Sequence, residues 1–224
     1  MAMRSKVNFK CPKCRADVEA EQWSAVNGEK NPQQKSKIMD GSLFTAKCSA
    51  CGKVTRIGFP MIYHDTEKNY MIWLVYEESE IKHVVDYFKS SKTDPQKDEN
   101  GESVDANCRQ RVVLSPDQLR EKIMIFDCDL DDKIIEIMKL HYAKQVQLTL
   151  KDGDEVAAVF FSNNNGDKKI EIFTKNGKAW SAPALMDIYN KIENQYGGKA
   201  SYAEDRVFLI DDDWAAALVI SLVG

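Results

Sequence analysis

Two short stretches decide how this chain folds: Phe9-Lys10-Cys11-Pro12-Lys13-Cys14-Arg15 and Ala46-Lys47-Cys48-Ser49-Ala50-Cys51-Gly52. Each is a C-x-x-C pair. Such a pair makes a tight turn, a knuckle, that points two sulfurs at one ion. Two knuckles complete a tetrahedron. Four thiolates suit zinc and leave no position open for water, so the expected ion is a single structural Zn²⁺ on Cys11, Cys14, Cys48 and Cys51. Gly52 gives the second knuckle the permissive backbone it wants; Arg15 stands at the matching place in the first, which makes that knuckle less ideal. The spacer, residues 15–47, holds 33 residues, longer than the common ~15–20, and needs structure of its own. A thioredoxin-like redox pair would require a C-x-x-C opening a helix in a βαβ unit, and neither pair does so. A zinc-thiolate redox switch is a further reading, with Lys13 and Arg15 keeping the thiolates reactive.

Outward from the cysteines, alternation over Val18 to Val26 reads as a weak strand. Asn31, Pro32 and Gly41 bracket a short helix, as N-cap, first helical residue and left-handed C′. Val54 to Tyr63 and Tyr70 to Tyr76 are rich in β-branched and aromatic residues and read as a hairpin with a polar loop over 64–69. Pro60 argues for an edge or a bulge in the first of them. Ile81 to Phe88 has helical spacing. Residues 90–107 are polar and unpatterned, the signature of a loop.

Arg111 to Leu114 reads as a strand. Ser115-Pro116-Asp117-Gln118 carries the capping-box signature of a helix start. A second helix follows the acidic break at 127–132. Beyond Gln145 three strands are expected, at Val146–Leu150, Val156–Phe161 and Lys169–Thr174. A helix is expected to open at Ser181-Ala182-Pro183-Ala184, and a last strand at Arg206–Ile210. Trp214 to Val223 fits a helix capped by Asp213 or a closing strand. The expected organisation is a zinc-ribbon-like head with hairpin and short helix (1–90), a linker (91–107), a helical pair (108–144) and a C-terminal α+β region (145–224). The fold class is α+β: head, central helices, and a C-terminal antiparallel sheet with one helix.

Composition bounds the function. The 224 residues are 43% hydrophobic and 29% charged, an ordinary soluble balance. No apolar run reaches the ~18 residues of a membrane helix, and the N-terminus has no apolar stretch of signal-peptide length. A cytoplasmic protein with no membrane partner is expected. Residues 1–60 hold 11 basic and 5 acidic side chains, whereas 61–144 hold 12 and 18, and 145–224 hold 8 and 12. The mildly basic head allows an acidic partner but falls short of a nucleic-acid footprint. Phe9, Trp23, Phe44 and Phe59 could stack on bases, although a small metal domain needs aromatics for its core.

Other candidates are weaker. Asp127, Asp129 and Asp131 begin like a calcium loop, but Asp132 and Met138 stand where Gly and Glu are required. Carboxylates at a helix start are favoured by its dipole in any case. His64 beside Asp65 is a possible oriented base, with no nucleophile placed beside it. His83 and His141 sit on expected helices as ordinary surface positions. Cys108 and Cys128 read as small apolar residues. There is no Gly-rich phosphate loop, no G-x-S-x-G and no H-E-x-x-H.

With these residues in view, the chain resembles the CpXC-domain family of bacterial and archaeal proteins, named for paired Cys-Pro-x-Cys motifs. Cys11-Pro12-Lys13-Cys14 carries the likeness, with Asn31-Pro32, Asp40 to Phe44 and Cys48 to Gly52. So do Pro60 to Asp65, Leu119 to Ile123, Asp131-Asp132 and Glu136. The likeness covers roughly residues 7–142. Ser49 departs from the second Cys-Pro motif without touching a ligand. The resemblance implies the fold and the metal but no reaction. The function read from all this is a structural-zinc protein acting as a non-enzymatic interaction module, with an unidentified protein partner and an open oligomeric state. The alternatives are a nucleic-acid-associated accessory protein, or an enzyme using His64 and Asp65 or the acidic residues near Asp131.

Overall fold

The computed structural model describes residues 4–93, 108–151, 153–198 and 208–223. The protein is α+β and divides into two compact units, Met1–Arg120 and Glu121–Gly224. Most of the linker expected over 91–107 lies outside the described residues.

The first unit opens with β1 (Arg4–Lys10) and β2 (Asp17–Trp23), an antiparallel pair with Lys10 opposite Asp17. Val18 and Ala20 of β2 turn inward while Asp17, Glu19 and Glu21 face out, the period-two pattern of a half-buried strand, and Trp23 is buried out of phase at the strand end. The single strand expected to Val26 is in fact two, because the chain leaves β2 and enters β3 (Ala25–Asn27). Helix α1 (Pro32–Met39) follows, with Gly41 in the left-handed region at φ 79°. Asn31 occupies the N-cap position without a side-chain cap; its Oδ1 accepts the Asn27 N–H instead. A 3₁₀ turn over Ser42–Phe44 leads into β4 (Thr45–Lys47), which pairs antiparallel with β5 (Val54–Arg56).

The larger sheet of this unit has the order β3-β6-β7-β8. β6 (Met61–Asp65) and β7 (Tyr70–Leu74) form the expected hairpin. β3 joins β6, and β8 (Arg109–Val113) joins β7, both in parallel. Helix α2 (Glu78–Thr93) lies on the crossover from β7 to β8, as parallel pairing requires. Trp73 of β7 meets Tyr87 and Phe88 of α2 edge-on. That cover is why Tyr70-Met71-Ile72-Trp73-Leu74 is apolar at every position. The run Val54–Tyr63, expected as one strand, is split at Pro60 between two sheets. His64 and Asp65 end β6 rather than opening the loop.

Helix α3 (Pro116–Asp127) starts where its capping-box signature predicts, although Gln118 reaches one residue beyond the N-cap. Ser115 Oγ accepts the Gln118 N–H at 3.2 Å, and Gln118 Oε1 accepts the Leu114 N–H at 2.8 Å. Its C-terminus is a Schellman turn. Asp129 is left-handed at φ 56°, and the N–H groups of Asp129 and Leu130 reach back to Phe126 and Ile125. Helix α4 (Asp132–Gln147) begins after Asp131, whose carboxylate caps it by accepting the Lys133 N–H at 2.9 Å.

The second unit departs from expectation in four places. Val146–Leu150 is no strand: it is the last turn of α4 and the bend after it, which leaves Leu148 83% exposed. The C-terminal sheet is β9 (Val156–Asn164), β10 (Asp167–Thr174) and β11 (Ala179–Pro183), antiparallel in the order β11-β10-β9. Asn165-Gly166, both at positive φ, makes the β9–β10 turn, the type I′ chemistry of a two-residue hairpin. Ser181 to Pro183 therefore end a strand, and α5 begins only at Met186, running to Tyr196. Arg206 and Val207 of the strand expected over Arg206–Ile210 lie outside the described residues, and Phe208 to Ile210 belong to no strand. Trp214 to Val223 is helical, in α6 (Asp212–Val223), and its cap is Asp211, whose carboxylate accepts the Trp214 N–H at 2.8 Å.

Between α3 and α4 the second unit buries five charged side chains. Lys122 Nζ lies 3.1 Å from Asp132 and 2.9 Å from Glu136; Lys139 Nζ lies 2.9 Å from Glu136 and 3.0 Å from Glu121. Glu121 also accepts the Phe161 N–H at 2.6 Å, tying the network to β9. Burial alone would raise the Glu136 pKa, but the ammonium groups of Lys122 and Lys139 outweigh it and hold that carboxyl below its ordinary range. Glu121 is pushed up by burial, only partly opposed by Lys139.

Removing one member of such a network strands a buried charge at a cost of about 3–5 kcal/mol. Lys122→Ala should therefore lower unfolding free energy by about that much in urea titrations. The isosteric swap Glu136→Gln should cost less, because it keeps the volume and a hydrogen-bonding amide and leaves two carboxylates for the two lysines.

Candidate metal centre

The two C-x-x-C pairs occupy the ends of two hairpins. Residues 11–16 connect β1 to β2, and residues 48–53 connect β4 to β5. Both turns close with the same hydrogen bonds. Cys11 N–H donates to Ala16 O and Arg15 N–H to Cys11 O, at 2.8 and 2.9 Å; Cys48 N–H donates to Lys53 O and Gly52 N–H to Cys48 O, both at 2.9 Å. The residue after the second cysteine is left-handed in each, Arg15 at φ 63° and Gly52 at φ 71°. Arg15 thus adopts the glycine-like conformation that its side chain disfavours.

The turns bring all four sulfurs within 4.8 Å of one another. Cys11 Sγ stands 3.7 Å from Cys51 Sγ, and Cys14 Sγ stands 3.6 Å from Cys48 Sγ. These separations are too long for disulfides, which need about 2.05 Å. They match the edge of a sulfur tetrahedron around zinc, about 3.8 Å for a Zn–S distance near 2.3 Å. The set can hold a metal ion. Its floor is a small cluster of Cys11, Val18, Ala20, Ala46 and Cys48, packed by Val7, Phe9 and Ile57.

The thiols differ sharply. Backbone N–H groups, that of Cys14 first, outweigh burial and lower Cys11 to about 6. At Cys14 the Ala16 N–H favours the thiolate, yet Cys51, burial, Cys48 and Cys11 together push it up to about 12. Sulfurs this close resist ionising together, and a divalent cation among them reverses that resistance.

The remaining candidates do not converge on a second centre. Asp65 Oδ1 accepts the Lys68 N–H at 3.0 Å and its other oxygen lies 3.5 Å from Lys35 Nζ, so it holds the β6–β7 turn. His64 is buried, and its carbonyl accepts the Gly28 N–H. Asp129 and Asp131 end one helix and cap the next, as described above. His83 and His141 are exposed on α2 and α4. Cys108 is buried, and Cys128 Sγ lies 3.0 Å from Asn163 Nδ2. Trp23, Phe44 and Phe59 are buried in the first unit, with Phe44 and Phe59 ring to ring at 5.2 Å.

Three of the eleven basic side chains of the head are paired across its own sheet. Arg4, Lys6 and Lys10 of β1 face Glu21, Glu19 and Asp17 of β2 at 3.7, 2.7 and 2.6 Å. The buried Lys122 and Lys139 escaped sequence reasoning. The signal for Lys139 was the apolar run it interrupts, Ile134-Ile135-Glu136-Ile137-Met138-Lys139-Leu140. A lysine inside such a run is either paired or absent from the core.

No curated protein and no solved structure matches the chain. The model of one family, described as CpXC protein, matches residues 9–139, from the strand before the first knuckle to the last lysine of the buried network. The match takes in both knuckles and spans more than half of the chain. The chain belongs to the CpXC protein family.

Proposed function

We propose that Cys11, Cys14, Cys48 and Cys51 hold one structural zinc ion, and that the chain is a non-enzymatic interaction module whose recognition surface this ion fixes. The observation that carries the reading is the pairing of two like turns with sulfur separations of a zinc tetrahedron. Four thiolates favour zinc among the common divalent ions and leave no position for a substrate. The cluster beneath the sulfurs is built from small residues, so it buries little apolar area; a metal supplies what such a core lacks. Reduced thiolates of this kind fit a reducing compartment such as the cytoplasm.

The surface that supports an interaction role lies at the foot of the β4–β5 hairpin. Thr45 and Arg56 face each other there, at the opposite end from the cysteine turn. Both line a cavity of about 570 Å³ with Phe44, Ile57, Tyr76 and Arg120, and with Asp40 and Asp117. Arg120 is engaged by Asp117 at 3.0 Å, whereas no acidic side chain among the described residues pairs with Arg56. The partner that fits is a protein segment offering one carboxylate beside an apolar side chain. A metal at the turn would hold the register that keeps Arg56 on this wall.

A nucleic-acid role has less support, because the β1 cations already face acids. An enzyme at His64 and Asp65 or near Asp131 has less as well, because the two aspartates are occupied in a turn and a cap.

Native mass spectrometry of gently purified protein should find one zinc per chain, lost in Cys48→Ser and on acidification, since protons compete for the thiolates. Zinc-free reduced protein would sink the reading. Chelation should remove the signature of the two hairpins in amide exchange while leaving the helices of the second unit protected. The knuckles make a sharper prediction. A non-glycine residue in the left-handed region costs about 1 kcal/mol. Arg15→Gly should therefore stabilise the metal-loaded first unit by up to about 1 kcal/mol, and Gly52→Ala should destabilise it by a similar amount. No atom stands within 4 Å of a methyl at position 52, so backbone strain alone would be read.

A further inference from the structure

Helices α4, α5 and α6 of the second unit enclose a groove of about 410 Å³, a volume typical of small-molecule sites. One stripe of α4 lines it, with Ile137, Leu140, His141 and Lys144 at helical spacing; Ile188, Lys191 and Ile192 of α5 face them, and Val219 of α6 completes the wall. The floor is aliphatic. Lys144, Lys191 and His141 stand around it with the neutral Gln195 and Tyr196, and no carboxylate is among the described lining residues. Neither lysine has an ion-pair partner among the described residues. Lys191 lies in a stretch where acids prevail, residues 145–224 holding 12 acidic and 8 basic side chains, and Lys144 ends another, residues 61–144 holding 18 and 12. A further apolar surface adjoins the groove, because α6 is apolar nearly all round and leaves Ile220 72% exposed. A helix of that composition is ordinarily covered.

We propose that this groove binds a single-chain amphiphilic anion, an alkyl carboxylate of fatty-acid type, with its chain along the aliphatic floor and its carboxylate between Lys144 and Lys191. The apolar floor selects the chain, and the unpaired lysines select the sign of the head group. The volume favours a small ligand over a partner helix.

Calorimetric titration of the full, zinc-loaded chain with dodecanoate below its micelle concentration tests this. The expected result is saturable binding of one dodecanoate per chain. Dodecanol and dodecyltrimethylammonium should bind at least roughly tenfold more weakly, and octanoate should lose more than roughly tenfold through its shorter chain. The double variant Lys144→Gln, Lys191→Gln changes only exposed side chains, so its circular dichroism should match the parent. It should lose about tenfold for dodecanoate and nothing for dodecanol. Absent or unsaturable binding, equal affinity for the cationic amphiphile, or dodecanoate affinity unchanged in the double variant would each overturn the proposal. So would an acidic peptide saturating the groove where dodecanoate fails.

Discussion

Four sulfur atoms drawn within 4.8 Å of one another are the constraint on which the first unit turns. Thiols do not gather for their own sake: each ionisation makes the next harder, and the small residues beneath them bury too little surface to hold them there. Two hairpins far apart in sequence must close with the same turn and present it at the same place. The chain accomplishes this with short strands, cross-strand ion pairs, and a left-handed residue after each second cysteine, even where that residue is an arginine. The backbone strain at Arg15 is tolerated because the surrounding hydrogen bonds leave the turn no other conformation.

The second unit answers a different problem. Its helices meet across charges rather than across hydrocarbon alone. Lys122, Lys139, Glu121, Asp132 and Glu136 pair with one another, which offsets part of the cost of desolvating them. Three carboxylates face two ammonium groups, and the opposite displacements of Glu121 and Glu136 express that imbalance. Such a network tolerates few alternative packings, which fits its place at the centre of the unit.

What could be read beforehand was what is local. The cysteine turns follow from spacing alone. The start of α3 follows from Ser115, Pro116 and Gln118, and the β9–β10 hairpin from its asparagines and glycine. What could not be read depends on distant partners. Val146-Gln147-Leu148-Thr149-Leu150 alternates like a strand, but no neighbouring strand receives it, and the helix before it simply continues. Pro183 looks like a helix start because proline suits the first turn, yet it equally suits the end of edge strand β11. The partners in the parallel pairings of β3 with β6 and β7 with β8 could not be read, since the apolar run of β7 marks a covered strand without naming its neighbour. Lys122 and Lys139 look like surface residues until their carboxylates are seen. In the metal site all four candidate ligands were legible from spacing, whereas the left-handed conformation of Arg15 was not, since nothing in its side chain announces it.

The parallel pairing of β3 with β6 also has a consequence for how the chain assembles. Everything between them, from Gly28 to Pro60, is a single excursion that must return in register. Closing an excursion of that length as flexible chain carries a substantial entropic cost. Here it contains a helix and a complete hairpin, both stabilised by near neighbours in sequence. Once these form, the span to be closed behaves as a few rigid pieces joined by short hinges. The knuckle hairpin thus acts as a spacer that shortens the search for the sheet. A lesion in its turn would be felt first as slow folding of strands that contain no cysteine.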